Sequence, residues 1–324
     1  MPPTRRLLEL LLVSSACVGV AGAQTSVSRL PSVSYARERA DAPAVAFVGG
    51  AWWDGERFVP RTYYAVRGIL RAQRPARVDS TVDLAGRWVI PPFGDARGAV
   101  TDAAVRDAYL REGTLYVQVL GDGDARDGET GDADACDLDV AVRADATRRV
   151  RTARDFAAAV RAGAQLVAPM LAPDFAPGEE RAYRIDDDVM ALAASRGVVV
   201  VPAAATTLDR TGDDPDALAR VQEVQRDNLR RLARHGVRLA VGRDVAGRTA
   251  REEFDALHGL GVLDARALLR AWTETPRAIF PGRRVGRLAD GYEASFLALA
   301  RDPLVDLGAV RDIALRVKQG CVLP

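Results

Sequence analysis

The stretch VIPPFGDARGAV, residues 89–100, sets a carboxylate just beyond a strand. Trp88-Val89-Ile90 reads as buried and extended, Pro91-Pro92 turns the chain, and Asp95 follows. Two histidines one residue apart just after such an aspartate would offer a metal ion the lone pairs it needs. Those positions hold Arg97 and Ala99. A guanidinium has only donors and does not deprotonate in proteins, and alanine has no side-chain ligand atom. A second strand-like run, VRLAVGRD, ends on Arg243 and Asp244.

Supply is short elsewhere too. The chain has two histidines, His235 and His258, and one lysine, Lys318. His235 closes a predicted helix just before Gly236, and His258 in LHGLG is placed similarly. There an imidazole meets the terminal carbonyls, so both read as structural. No Ser-His-Asp arrangement can then be argued. Lys318 lies in the last strand-like run and is expected at the surface. Between Gly121 and Asp139, GDGDARDGETGDADACDLD repeats carboxylates at alternate positions, as a calcium loop would. No starting point also supplies the sixth-place glycine and the closing glutamate, so the stretch reads as a disordered acidic loop.

With 324 residues, 48% apolar and 27% charged, the chain has material for a large globular core. A net charge of +1 gives no footprint for nucleic acid. Arg5-Arg6, an apolar run from Leu7 to about Val20 and Ala21-Gly22-Ala23 form an expected signal peptide, residues 1–23. The run is short for a membrane span, so the mature protein is expected to be periplasmic or secreted, with no membrane span. In that oxidising setting Cys136 and Cys321 either pair or remain two free thiols.

The elements that must hold these residues fall into three parts. After a polar linker, residues 24–43, short runs punctuated by glycines make a small β unit, residues 44–90. Residues 91–284 repeat helix, glycine stop and strand, as in TARDFAAAVRAG before QLVAP and RDNLRRLARHG before VRLAVGRD. Residues 285–324 return to short strands. The expected fold is α/β: a (β/α) barrel flanked by a small β-sandwich assembled from both ends of the chain.

LLRAWTETPRAIFPGRRVGRLADGYEASFLALARDPL, NLRRLARHGVRLAVGRD and VIPPFGDARGAV together resemble the amidohydrolase superfamily, in its imidazolonepropionase-like branch. The resemblance runs from about Ala44 to Leu323. It implies a metal-dependent-hydrolase TIM-type barrel and hydrolysis of carbon–nitrogen bonds other than peptide bonds. It also implies a divalent metal such as zinc. The family's first histidine pair falls on Arg97 and Ala99, its middle histidines near Arg149 and on Pro169, and the bridging lysine has no counterpart. Only the aspartate, Asp244, remains, which makes it the catalytic candidate. The barrel is also expected to be incomplete, since residues 91–285 number about 195 against roughly 250 for an eightfold barrel. Missing strands beside the acidic loop would leave two exposed parallel edges, which makes self-association an expectation.

At the barrel mouth the resemblance implies, Asp95 and Asp244 could form an acid/base pair, although ion pairing with nearby arginines is the simpler use. Arg97, Arg149 and Arg243 are candidate donors to a small carboxylate or phosphate. Three functions stay open: an exported pseudoenzyme with no metal cofactor that binds a small anion, a hydrolase with a carboxylate-based metal site, and a decaying gene product.

Overall fold

The computed structural model describes residues 34–121, 128–130, 136–144, 150–167, 175–211, 214–243, 245 and 247–324. The signal peptide, Arg149, Pro169, Asp244 and most of the acidic loop lie outside the described residues.

The described chain opens with β1 (Val45–Trp53), β2 (Phe58–Val66), β3 (Ile69–Arg71), β4 (Ser80–Asp83) and β5 (Trp88–Ile90). Alternation follows: β6 (Phe93–Gly98), α1 (Ala103–Glu112), β7 (Thr114–Gly121), β8 (Gly128–Thr130), β9 (Asp139–Ala144), α2 (Ala153–Arg161) and β10 (Leu166–Val167). Next come α3 (Asp187–Ser195), β11 (Val199–Val200), α4 (Ala204–Thr211), α5 (Pro215–Arg234) and β12 (Arg238–Leu239). α6 (Ala250–Gly259), α7 (Ala265–Thr273) and α8 (Thr275–Ile279) lead into β13 (Phe296–Leu299), β14 (Ile313–Lys318) and β15 (Cys321–Leu323).

Local sequence explains the helix limits. Asp102 caps α1 by accepting from the Val105 amide, and Gly113 ends it at φ 80°. Thr152 and Asp155 form a reciprocal capping box at the start of α2. Asp264 caps α7 through the Ala267 amide.

The two ends of the chain meet in one hydrogen-bonded sheet of eight strands, because β13 pairs antiparallel with β5. Gly49 allows the irregular turn within β1, having φ 77° and a Cβ position only 2.9 Å from the Asp83 carboxylate. Phe47, Trp52, Tyr63 and Phe296 pack edge to face on this sheet, with ring centroids 4.8–5.1 Å apart. Phe93 stacks on Trp272 at 3.7 Å and joins that core to the α/β part.

There β6, β7 and β9 run parallel in one sheet, and β10, β11 and β12 in another. The Ala96 amide donates to the Val241 carbonyl at 2.9 Å, bringing the chain beyond β12 against β6. Gly242 permits the approach, since a Cβ there would lie 2.8 Å from the Arg97 nitrogen. Among the described residues, the six strands from β6 to β12 other than β8 are therefore each parallel to their neighbours within these two sheets. That short strand pairs antiparallel with β9 and covers its outer edge. Its residues come from the acidic stretch, so part of the expected loop is a strand that protects a sheet edge.

Lys318 departs from expectation. It is 1% exposed, donates to the Asp137 carbonyl, and lies 3.1 Å from the Asp139 carboxylate. The last strands press on the start of β9, so a side chain that reads as solvated is buried and paired. Arg283 lies beside it, bound through two nitrogens to Glu293 at 3.0 and 2.7 Å and 2.9 Å from Asp139. Gln319 also donates to Glu293 at 3.0 Å. The segment after Ser34 straps this cluster: the Arg37 amide donates to Glu293 at 3.1 Å, and the Arg39 side chain to the Gln319 carbonyl at 3.2 Å. Cys136 and Cys321 form a disulfide with Cα atoms 5.7 Å apart, which resolves the open pairing.

Candidate functional site

The strand ends after β6 and β12 bring Asp95, Arg97 and Arg243 together. Every residue of β6 is buried, and Asp95 has no exposed surface. One of its oxygens accepts from the Arg97 amide at 2.9 Å and from the Arg243 amide at 3.0 Å. The other accepts from the Tyr109 hydroxyl of α1 at 2.9 Å. Burial, with the Asp95 charge beside it, pushes the Tyr109 hydroxyl far above the ordinary tyrosine range, so it stays a donor. A fully buried carboxylate accepting three hydrogen bonds is a structural hub. It lacks the access a general base needs.

The Arg243 side chain is fully buried. Nε donates to Glu252 of α6 at 3.1 Å and one terminal nitrogen to Thr206 of α4 at 3.1 Å. The other terminal nitrogen is bound to Asp209 of α4. Burial is the largest single effect and lowers the Arg243 pKa, but the two carboxylates together outweigh it and hold the guanidinium charged, above the usual arginine value. Each nitrogen is therefore engaged within the chain, and an external anion would have to displace Asp209 or Glu252.

Glu253, next along α6, is buried and turns to the start of α4. Its two oxygens accept from the Ala204 and Ala205 amides at 2.8 and 2.7 Å. It replaces a local cap for a helix entered through Ala203, a non-glycine residue at φ 56°. Burial pushes the Glu253 carboxyl up to about 7, and the two amides and Arg243 oppose that rise.

Sequence reasoning placed Asp95, Arg97 and Arg243 near one another, and the structure does so. It missed Tyr109, Thr206, Asp209, Glu252 and Glu253. Glu252-Glu253 reads as ordinary acidic bias in a first helical turn, and nothing in the spacing ties Asp209 to Arg243. The histidines fall at helix ends as expected. His235 ends α5 with Nε2 2.9 Å from Asp187, and His258 is exposed in the last turn of α6.

Among the described residues, no group of three or more His, Cys, Asp or Glu side chains could hold a metal ion. The carboxylates gathered here already hold guanidinium, hydroxyl and amide donors, so this donor set does not fit a divalent cation. No helix among the described residues is long and apolar enough to cross a membrane.

No family model matches the chain, and no curated protein matches it in sequence. Solved structures do match in shape. A molinate hydrolase superposes with a TM-score of 0.63 at 12% identity, over 87% of this chain and 95% of the other. Ochratoxinase of A. niger gives 0.59 at 14% identity, over 87% and 95%. An amidohydrolase crystal structure gives 0.55 at 18% identity, over 86% and 98%. These likenesses are of backbone architecture, and this chain shares its fold with these hydrolases.

Proposed function

We propose that this chain is an exported member of the amidohydrolase superfamily, in its imidazolonepropionase-like branch, that no longer performs metal-dependent hydrolysis. The observation that carries the reading is the lodging of Arg243. A fixed positive charge, bound by Thr206, Asp209 and Glu252, lies beside the strand end where the family would gather metal ligands. Asp209 and Glu252 offset that charge, so the obstacle to a divalent cation is that the carboxylates able to ligate one are already engaged by the guanidinium. Six parallel strands among the described residues, with β8 on one edge, fit a reduced form of the family barrel. The disulfide fits an oxidising compartment outside the cytoplasm. With Arg243 satisfied internally, small-anion binding at this mouth gains no support from that residue.

Elemental analysis of the purified, unchelated protein tests the reading. It should hold less than about a tenth of an equivalent of zinc, manganese or iron, and its Tm should not move on adding a chelator. About one equivalent of a tightly held divalent ion, with a fall in Tm on its removal, would restore the hydrolase reading. A chain that fails to unfold cooperatively would favour decay.

A further inference from the structure

A second concave site lies away from the strand ends, between α2 and the segment leading into α3. It has a volume of about 440 Å³ and is lined by Arg154 and Arg161 on one wall and by Arg181, Arg184 and the carboxylate of Asp186 on the other. Ala157 and Val189, both buried, form an apolar floor between the walls.

The two walls differ in how their charge is used. Arg184 is held by Asp227 at 2.9 Å and Glu223 at 3.0 Å, and Arg181 lies 3.5 Å from Asp186. Arg154 and Arg161 are exposed and make no side-chain hydrogen bond or ion pair among the described residues. Their capping neighbour Asp155 is turned to the amides of Arg151 and Thr152. The guanidinium groups of the groove that are free of side-chain hydrogen bonds and ion pairs therefore sit on α2, with the nearby Asp155 charge offsetting part of that of Arg154. Arg154, Ala157 and Arg161 follow at i, i+3 and i+7, one helical face, which sets the Cα atoms of the two arginines ~10 Å apart along the axis. Charge, apolar floor, charge is the order along the groove.

We infer that this groove binds a linear dianion with an apolar middle, an α,ω-dicarboxylate of about eight to ten carbons, whose extended length matches the ~10 Å between the Cα atoms of the two arginines. Each carboxylate takes a guanidinium in a bidentate bond, and the methylenes lie on Ala157 and Val189. A compact anion leaves the apolar floor uncovered. A monocarboxylate of the same length leaves the second unpaired. The site is independent of whether the strand ends beyond β6 and β12 hold metal.

Thermal unfolding of the full protein in a series of linear dicarboxylates, from four to twelve carbons at constant ionic strength, tests this. Tm should rise by about 2 to 5 °C for the eight-to-ten-carbon members at tenfold excess over Kd. It should rise little for succinate or for octanoate. The double variant Arg154→Gln with Arg161→Gln removes exposed side chains only and should abolish the shift. Arg74→Gln with Arg266→Gln changes net charge equally at exposed positions outside the groove and should keep it. A shift independent of chain length, one that pyrophosphate matches, one that survives the α2 double variant, or none at all would each overturn the assignment.

Discussion

The backbone amide of Arg243, just past β12, donates to the Asp95 carboxylate beyond β5, within β6, at 3.0 Å. This bond joins the first and last of the parallel strands at the end where ligands would be gathered. One carboxylate there organises two backbone segments and a tyrosine.

Replacing Asp95 tests that role. Asp95→Ala strands the Tyr109 hydroxyl and the amides of Arg97 and Arg243, all in a buried place, and should cost about 3 to 5 kcal/mol. Asp95→Asn keeps acceptor capacity on one oxygen and should cost about 1 to 2 kcal/mol. Urea unfolding measures both, and equal losses would show that the charge of Asp95 dominates over its hydrogen bonds.

Glu253 makes stability depend on pH. Its folded pKa, about 7, lies above the ordinary 4.5, so folding favours the protonated acid. The stabilisation is complete below about pH 4.5 and is lost as pH rises to about 7, a fall of roughly 3 kcal/mol. Glu253→Gln removes this slope, so the stability difference between wild type and variant should change across that window and stay flat above it. A pH-independent difference from pH 4.5 to 7 would contradict the burial argument.

Reduction of the Cys136–Cys321 bond should destabilise the protein. It closes 185 residues, for which the chain-entropy account gives on the order of 5 kcal/mol, with 2–5 typical on removal. Urea midpoints with and without a reductant should differ accordingly. Non-reducing peptide mapping should recover the two cysteines in one linked species.

The Arg283–Glu293 pair, both side chains fully buried, should show strong coupling. Arg283→Met alone leaves Glu293 uncompensated, and Glu293→Gln alone leaves Arg283 leaning on Asp139; each should cost about 3 to 5 kcal/mol. The double variant should cost less than the sum by about 1 to 3 kcal/mol, read from a double-mutant cycle by urea unfolding. Strict additivity would mean that the pair does not act as a unit.

Particular residues show how far sequence carries. The helices were legible because their signals are local: Asp102 and Gly113 for α1, Thr152 and Asp155 for α2. The Trp88-Val89-Ile90 run was legible as a strand, but Asp95, read as lying beyond it, stands inside a second strand, β6, that resumes after Pro91-Pro92. The acidic stretch misled, since its composition is that of a solvated loop, while Gly128–Thr130 finds a ladder partner in β9 only through tertiary contact. Lys318 misled for the same reason, its partners Asp137 and Asp139 lying some 180 residues away (|i−j| = 181 for Asp137).

By itself the amino-acid order determined the inventory: an α/β alternation, two short β segments at the ends, and too few imidazoles and amines near any strand end for a conventional metal centre. Ligand chemistry needs no coordinates for that, because a residue type either offers a lone pair or does not. Which carboxylate meets which arginine was decided only by folding. Asp209 and Glu252 reach Arg243, Glu253 reaches the start of α4, and Cys136 reaches Cys321, because packing α4 on α6 and β15 near β9 brings distant positions within hydrogen-bond or bonding range. No spacing along the chain encodes that proximity.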